Sequence, residues 1–225
     1  MVKAVVFDLD DTLISEKQYI KSGYKHISEL LSNRFNRDET ELYNLLIGIF
    51  SESPLNVFNR LFDKLGITYT QNDILELVES YRNHLPSIEF FEDVISCLES
   101  LKKERVKLGI ITDGYADAQF QKLKAVKATD YFDEIIVTDE LGREYWKPHP
   151  KAFEMMKEKF NIEYNQMIYV GDNPEKDFYI SNIYPIKTIR ILRDGVYKEK
   201  CYLKNIRETH SINSLSELNT FFKVK

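Results

Sequence analysis

Short apolar runs rich in β-branched residues recur along the chain: KAVVF at 3–7, VKLGIIT at 106–112, EIIVT at 134–138, MIYV at 167–170 and KTIRIL at 187–192. Runs of this length and composition read as strands, and their near-continuous apolarity points to strands covered on both faces. Helical or loop sequence separates each from the next, which is the rhythm of a parallel sheet with helices packed on it. The first interval breaks that rhythm. Between Leu13 and about Pro86 there is no strand pattern, only helix signals. Ile20, Tyr24, Ile27 and Leu31 share one helical face, and Asp38 with Glu41 reads as a capping box. Pro54 suits a first helical turn, Gly66 ends that helix, and a last helix spans about 72–84 before Pro86. The expected fold class is therefore α/β: a doubly wound, mainly parallel sheet carrying an inserted all-helical domain. Residues 1–13 and 86–225 form the core and 14–85 the insertion. Ser214 and Glu217 make another box ahead of LNTFF, predicting a terminal helix.

Composition supports a folded globular chain. Of its 225 residues, 43% are hydrophobic and 30% charged, enough apolar material for a sizeable core. The net charge of −5 gives a nucleic-acid backbone no general attraction. Two cysteines, Cys97 and Cys201, are too few for a disulfide framework or a four-cysteine zinc site and read as free thiols. The N-terminus reaches acidic residues too soon for a secretory signal, and no apolar run approaches a membrane span. A soluble cytoplasmic protein with neither nucleic-acid nor membrane partners is expected.

The first strand runs straight into three acids, Asp8, Asp10 and Asp11. Carboxylates about 4 Å apart repel by roughly 1 kcal/mol in water and about 4 kcal/mol near a protein surface. One such acid could cap a helix start; three call for a cation site in which one carboxylate also acts as a nucleophile. Three further polar clusters stand at or just beyond other strand ends: TDG at 112–114, KPHP at 147–150 and GDNPEKD at 171–177. Singly they also read as turns and a solvated lysine. In an open parallel sheet, however, the carboxyl ends share one edge, so the four clusters converge there.

The order DxDxT, a strand ending in Thr, a Lys, then GDxxxxD resembles the haloacid dehalogenase superfamily of hydrolases, specifically phosphatases with a helical cap inserted after the first motif. The resemblance frames nearly the whole chain and implies a Rossmann-like core. It also implies a role for each motif residue. Asp8 would attack phosphorus and carry an aspartyl-phosphate, while Asp10 would protonate the leaving oxygen and then deprotonate water. Thr112, with the backbone N–H groups of Asp113 and Gly114, would hold the phosphoryl oxygens. Lys147 would offset charge between Asp8 and the phosphoryl group. Asp8, Asp172 and the Asp10 carbonyl would bind Mg²⁺, with Asp177 orienting a ligand or a metal-bound water. The implied partner is a small phosphorylated metabolite: a sugar phosphate, sugar-acid phosphate or nucleoside monophosphate. A phosphomutase of the same superfamily and a phosphate-accepting signalling domain are the alternatives. His149 is expected in the loop or first helical turn after Lys147, and Lys17, Lys21 and Lys25 on a solvated helix face.

Overall fold

The structure is a computed structural model that describes residues 1–194, 197 and 201–221. Six strands are present among the described residues: β1 (Ala4–Phe7), β2 (Lys107–Thr112), β3 (Glu134–Val137), β4 (Met167–Gly171), β5 (Lys187–Ile191) and β6 (His210–Ile212). They form one sheet in the order β3-β2-β1-β4-β5-β6, every neighbouring pair parallel. The first five fall where the apolar runs predict. The sixth carries no such signal, because HSI sits at the sheet edge and buries Ile212 alone.

Seven α-helices accompany the sheet among the described residues: α1 (Glu16–Phe35), α2 (Glu39–Glu52), α3 (Val57–Leu65), α4 (Gln71–Asn83), α5 (Val94–Lys103), α6 (Ala116–Ala125) and α7 (Lys151–Phe160). The chain divides into two compact units, Met1–Glu16 with Glu89–Lys225, and Lys17–Ile88. Leu13 and Ile14 go with the first: Ile14 bridges to both Asp10 and Phe90, and Phe91 donates its N–H to the Leu13 carbonyl at 2.9 Å.

The second unit is helical and has its own apolar cluster, including Tyr24, Ile27, Leu31, Leu46, Phe58, Phe62 and Leu77. Asp38 caps α2 by accepting from the Glu41 N–H at 2.8 Å, and Gly66 closes α3 in the left-handed region at φ 66°. Pro54, however, lies ahead of α3, which begins only at Val57 after a left-handed Asn56. Thr70 and Asp73 form a reciprocal capping box on α4. Lys17, Lys21 and Lys25 are exposed.

In the sheet unit all four residues of β1 are buried. Ala4 and Val6 share a cluster with Ala152, Phe153, Met156 and Phe160 of α7, so α7 covers that face. Gly109 lets α7 approach β2, since a Cβ there would stand 2.8 Å from the Met156 sulfur. Only half of the C-terminal box forms: Glu217 accepts the N–H groups of Asn213 and Ser214 at 2.8 and 3.0 Å, but its own N–H goes to the Ser214 carbonyl, and the Ser214 hydroxyl accepts from the Ser216 N–H instead. The terminal helix expected there is present as a 3₁₀ helix, Leu215–Phe221; its buried side chains, Leu215 and Leu218, are three apart, the period of that helix.

A forked ion pair anchors the loop after β1. Arg193 grips Asp93 at 2.7 and 3.0 Å and reaches the Thr12 carbonyl at 3.2 Å, while Asp93 also accepts from Ser214 and the Leu215 N–H. Burial raises the Asp93 carboxyl, but the donors from Arg193, Leu215 and Ser214 outweigh it and hold it below its usual range. No helix among the described residues is long and apolar enough to cross a membrane.

Candidate active site

β1 is flanked by β2 and β4, the point where strand order reverses and where open α/β sheets bind ligands beyond the strands' carboxyl ends. Phe7 is level with Ile110 and Val170, so Asp8 comes one residue later beside Gly171, and Thr112 and Asp172 lie one residue further out. This register brings three motifs to one place.

The loop leaving β1 is wound tightly, the N–H groups of Thr12, Leu13 and Ile14 converging on the Leu9 carbonyl at 3.4, 2.9 and 3.2 Å. It sends its three acids in different directions, which relieves their repulsion. Asp11 turns to α1 and accepts the Glu16 N–H at 3.0 Å, from a left-handed backbone at φ 50° that Asp tolerates better than most residues. Asp8 meets Lys147 at 2.8 Å. Asp10 meets α6: Lys122 reaches its two oxygens at 2.7 and 2.8 Å, and Gln119 donates to one of them at 2.9 Å.

Lys147 has a fully buried side chain and compensates more than Asp8. Its ammonium also lies 2.9 Å from Asp177 and donates to the Tyr169 hydroxyl at 2.7 Å. Burial works against the charged form, but Asp177 and Asp8 outweigh it and keep the ammonium well above the ordinary lysine range. Asp177 has both oxygens engaged by protein donors, one by Lys147 and Tyr169 and the other by the Asn173 N–H at 2.9 Å. Gly171 is required beside it, because a Cβ there would collide with the Asp177 carboxylate. Gly171→Ala should therefore destabilise the protein by roughly 1–3 kcal/mol through overpacking. An unchanged denaturation midpoint would contradict this close packing.

Beyond β2, Thr112 is completely buried and its hydroxyl accepts from Gln119 at 3.0 Å. The Asp113 side chain turns into the protein, accepting from the Thr138 hydroxyl at 2.8 Å, the Lys147 N–H at 3.1 Å and the Lys176 ammonium at 3.0 Å. Burial raises this carboxyl, yet Lys147, Lys176 and Thr138 together bring it below its usual value. Asp113 thus ties the TDG and KPHP loops and the GDNPEKD segment to one another, leaving only its backbone to face a ligand. Gly114 adopts φ +132°, a conformation other residues rarely take, and Gln119 occupies the space a Cβ would fill. His149 is exposed; its ring accepts the Lys151 N–H at 3.2 Å at the start of α7.

Asp8, Asp172 and Asp177 each offer a carboxylate oxygen within 4.8 Å of the others, all three buried. Burial pushes Asp172 up to about 9, aided by Asp177, Asp8 and Asp11, and lifts Asp8 to about 6 against the pull of Lys147. With all three carboxylates ionised, the cluster would carry more negative charge than Lys147 alone offsets. An all-oxygen, charge-deficient donor set of this kind fits a hard divalent cation. Asp172 is the most open ligand, since no donor among the described residues hydrogen-bonds its carboxylate. The Asp10 side chain does not join this cluster.

Three participants escaped the sequence reading: Gln119, Lys122 and Tyr169. The two on α6 stand three residues apart and so share a helix face, a signal present in QFQK but indistinguishable from an ordinary surface lysine until the helix is docked. Tyr169 lies within an apolar strand and reads as core.

A family model described as haloacid dehalogenase-like hydrolase matches residues 5–191. A glyceraldehyde 3-phosphate phosphatase of Methanocaldococcus jannaschii is 29% identical over 224 residues, covering 97% of this chain and 96% of its own. The pyrophosphatase PpaX of Bacillus mycoides is 24% identical over 223 residues, covering 96% and 95%. Among solved structures, an HAD phosphatase from Thermococcus onnurineus superposes with a TM-score of 0.64 at 27% identity, over 99% of this chain and 98% of that one. The six-stranded parallel sheet, the motifs at its carboxyl edge and the match over most of the chain lead to one assignment: the protein belongs to the haloacid dehalogenase-like hydrolases.

Proposed function

We propose that the protein is a Mg²⁺-dependent phosphatase acting on a small phosphate monoester through an aspartyl-phosphate on Asp8. The observation that carries this reading is the buried group of Asp8, Asp172 and Asp177 around Lys147, with Asp10 held separately by α6. In the first step an Asp8 oxygen attacks phosphorus, the bond from phosphorus to the leaving oxygen breaks, and Asp10 gives that oxygen a proton. In the second, water attacks the aspartyl-phosphate, Asp10 takes the water's proton, and the bond to Asp8 breaks to release inorganic phosphate. Thr112 and the N–H groups of Asp113 and Gly114 hold the phosphoryl oxygens, and Lys147 neutralises charge where Asp8 meets them. Asp8, Asp172 and the Asp10 carbonyl would hold Mg²⁺, which when bound supplies Lewis-acid stabilisation of the phosphoryl charge, while Asp177 orients Lys147. The names of the similar proteins favour small substrates, with three-carbon sugar phosphates first among them. We assign substrate selection to the helical unit, inserted in the chain between the β1 loop and α5.

Purified protein should release phosphate from a small monoester with Mg²⁺, stop in excess chelator and recover when Mg²⁺ is restored. Full turnover in chelator would remove the metal from the reading. The metal should also stabilise the fold in a pH-dependent way. Asp8 and Asp172 have folded values near 6 and 9, above the ordinary carboxylate value of about 3.9. An acid raised in this way favours the metal-free fold fully below about pH 4, and that contribution is lost as pH rises through the folded values. The bound cation relieves the repulsion, so the gain in melting temperature on adding Mg²⁺ should be larger at pH 8 than at pH 6. At a hundredfold excess over Kd the gain is about 2.7 kcal/mol, or roughly 5–10 °C. A gain that shrank with pH would contradict the arrangement.

A further inference from the structure

The geometry points to Gln119 and Lys122 as positioning residues that set which lobe of the Asp10 carboxylate handles the proton. This inference rests on Asp10 being the proton donor and acceptor of the proposed reaction. An ionised carboxylate has about four acceptor sites, two on each oxygen. Lys122 takes one on each oxygen, at 2.7 and 2.8 Å, and Gln119 takes the second on Oδ2 at 2.9 Å. Among the described partners, the remaining site is on Oδ1. The Asp10 side chain keeps 21% of its exposure where that of Lys122 keeps 5%, so the lysine is spent inside the protein while the carboxylate still opens outward.

Gln119 adds a second constraint. Its amide nitrogen also contacts the Thr112 hydroxyl at 3.0 Å and the Asp113 carbonyl, so one group spans Asp10 and the loop assigned to the phosphoryl oxygens. The acceptor atoms require that amide orientation, because the Asp10 carboxylate and the Asp113 carbonyl cannot donate. Gly114 leaves the space Gln119 occupies, its absent Cβ lying 2.7 Å from the amide nitrogen. The distance between the proton-carrying oxygen and the phosphoryl position is thus held by α6. A buried, bidentate lysine whose only service was stability would have no need of a carboxylate that remains partly open.

The test compares an alkyl phosphate, whose leaving oxygen needs a proton, with 4-nitrophenyl phosphate, whose leaving oxygen needs far less. The ratio kcat/KM covers steps through formation of the phosphoenzyme and isolates the first chemical step. Lys122→Met should lower kcat/KM for the alkyl ester by roughly 10- to 100-fold, the scale of a misplaced catalytic group, chiefly through kcat, and the aryl ester by less than about threefold. Gln119→Leu should act in the same direction, and carries the comparison alone if Lys122→Met does not fold. Equal losses on both esters, or no loss on either, would overturn the inference. Asp10→Asn serves as reference. If Asp10→Asn discriminates between the esters and the α6 variants do not, the positioning role fails alone. If Asp10→Asn fails to discriminate, the proton role of Asp10 and this inference fall together.

Discussion

Asp8→Asn should abolish turnover, leaving less than about a thousandth of the wild-type rate, because an amide oxygen is a poor nucleophile and a poor metal ligand. The substitution changes little in volume. It removes one negative charge from a crowded, buried cluster, so the variant should fold and be at least as stable as the parent in the absence of metal. That combination separates chemistry from folding: a well-folded protein with no covalent intermediate. Acid quench of the wild type during turnover of a ³²P-labelled monoester should trap label on the protein, and the same quench of Asp8→Asn should trap none. Activity above a few per cent in Asp8→Asn, with deamidation excluded by mass spectrometry, would rule out covalent catalysis through this residue.

Lys147→Met should show the opposite balance, with stability lost along with activity. The ammonium is fully buried between Asp8 and Asp177, and removing it leaves two carboxylates and the Tyr169 hydroxyl without their shared donor. Breaking a buried ionic group from one side costs about 3–5 kcal/mol, which for a chain of this size lowers the melting temperature by roughly 10 °C. Turnover should fall by roughly 10²- to 10³-fold, as when one preorganised electrostatic donor is removed. Mg²⁺ restores positive charge to the same cluster, so added metal should narrow the stability gap more than the activity gap. Calorimetry with and without metal measures the first gap, and phosphate release the second. A Met variant as stable as the wild type without metal would mean that Lys147 does not neutralise this group.

What the sequence reveals here depends on burial. The strands covered on both faces announce themselves as apolar runs, whereas β6, an edge strand burying Ile212 alone, resembles any loop. Three of the four motif clusters are legible because turn residues and acids come directly after those runs, while KPHP follows β3 only after an intervening loop. Their side-chain directions are not. Asp8, Asp10 and Asp11 are close together in the chain yet turn to Lys147, to α6 and to α1, a divergence set by a left-handed residue and by helices placed far along the chain. Asp113 similarly reads as part of an anion-binding turn, while its carboxylate is consumed by Thr138, Lys147 and Lys176. Lys122 is the clearest case: composition assigns a lysine to solvent, and only the docking of α6 against the β1 loop makes it a buried partner of Asp10.

The strand order also constrains how the chain reaches its native state. β1 leaves the ribosome first but lies between β2 and β4, which begin only at Lys107 and Met167. Its pairings are therefore non-local, and a sheet closed by such pairings folds slowly. Until β4 emerges, the apolar AVVF segment has at most one neighbour and an unpaired edge, the condition under which nascent chains aggregate. The helical segment next in the chain has an apolar cluster made from its own residues and can condense earlier, close in sequence to the waiting strand. Chains stopped before Met167 would lack the strand that completes β1 and would keep that edge of the AVVF segment unpaired.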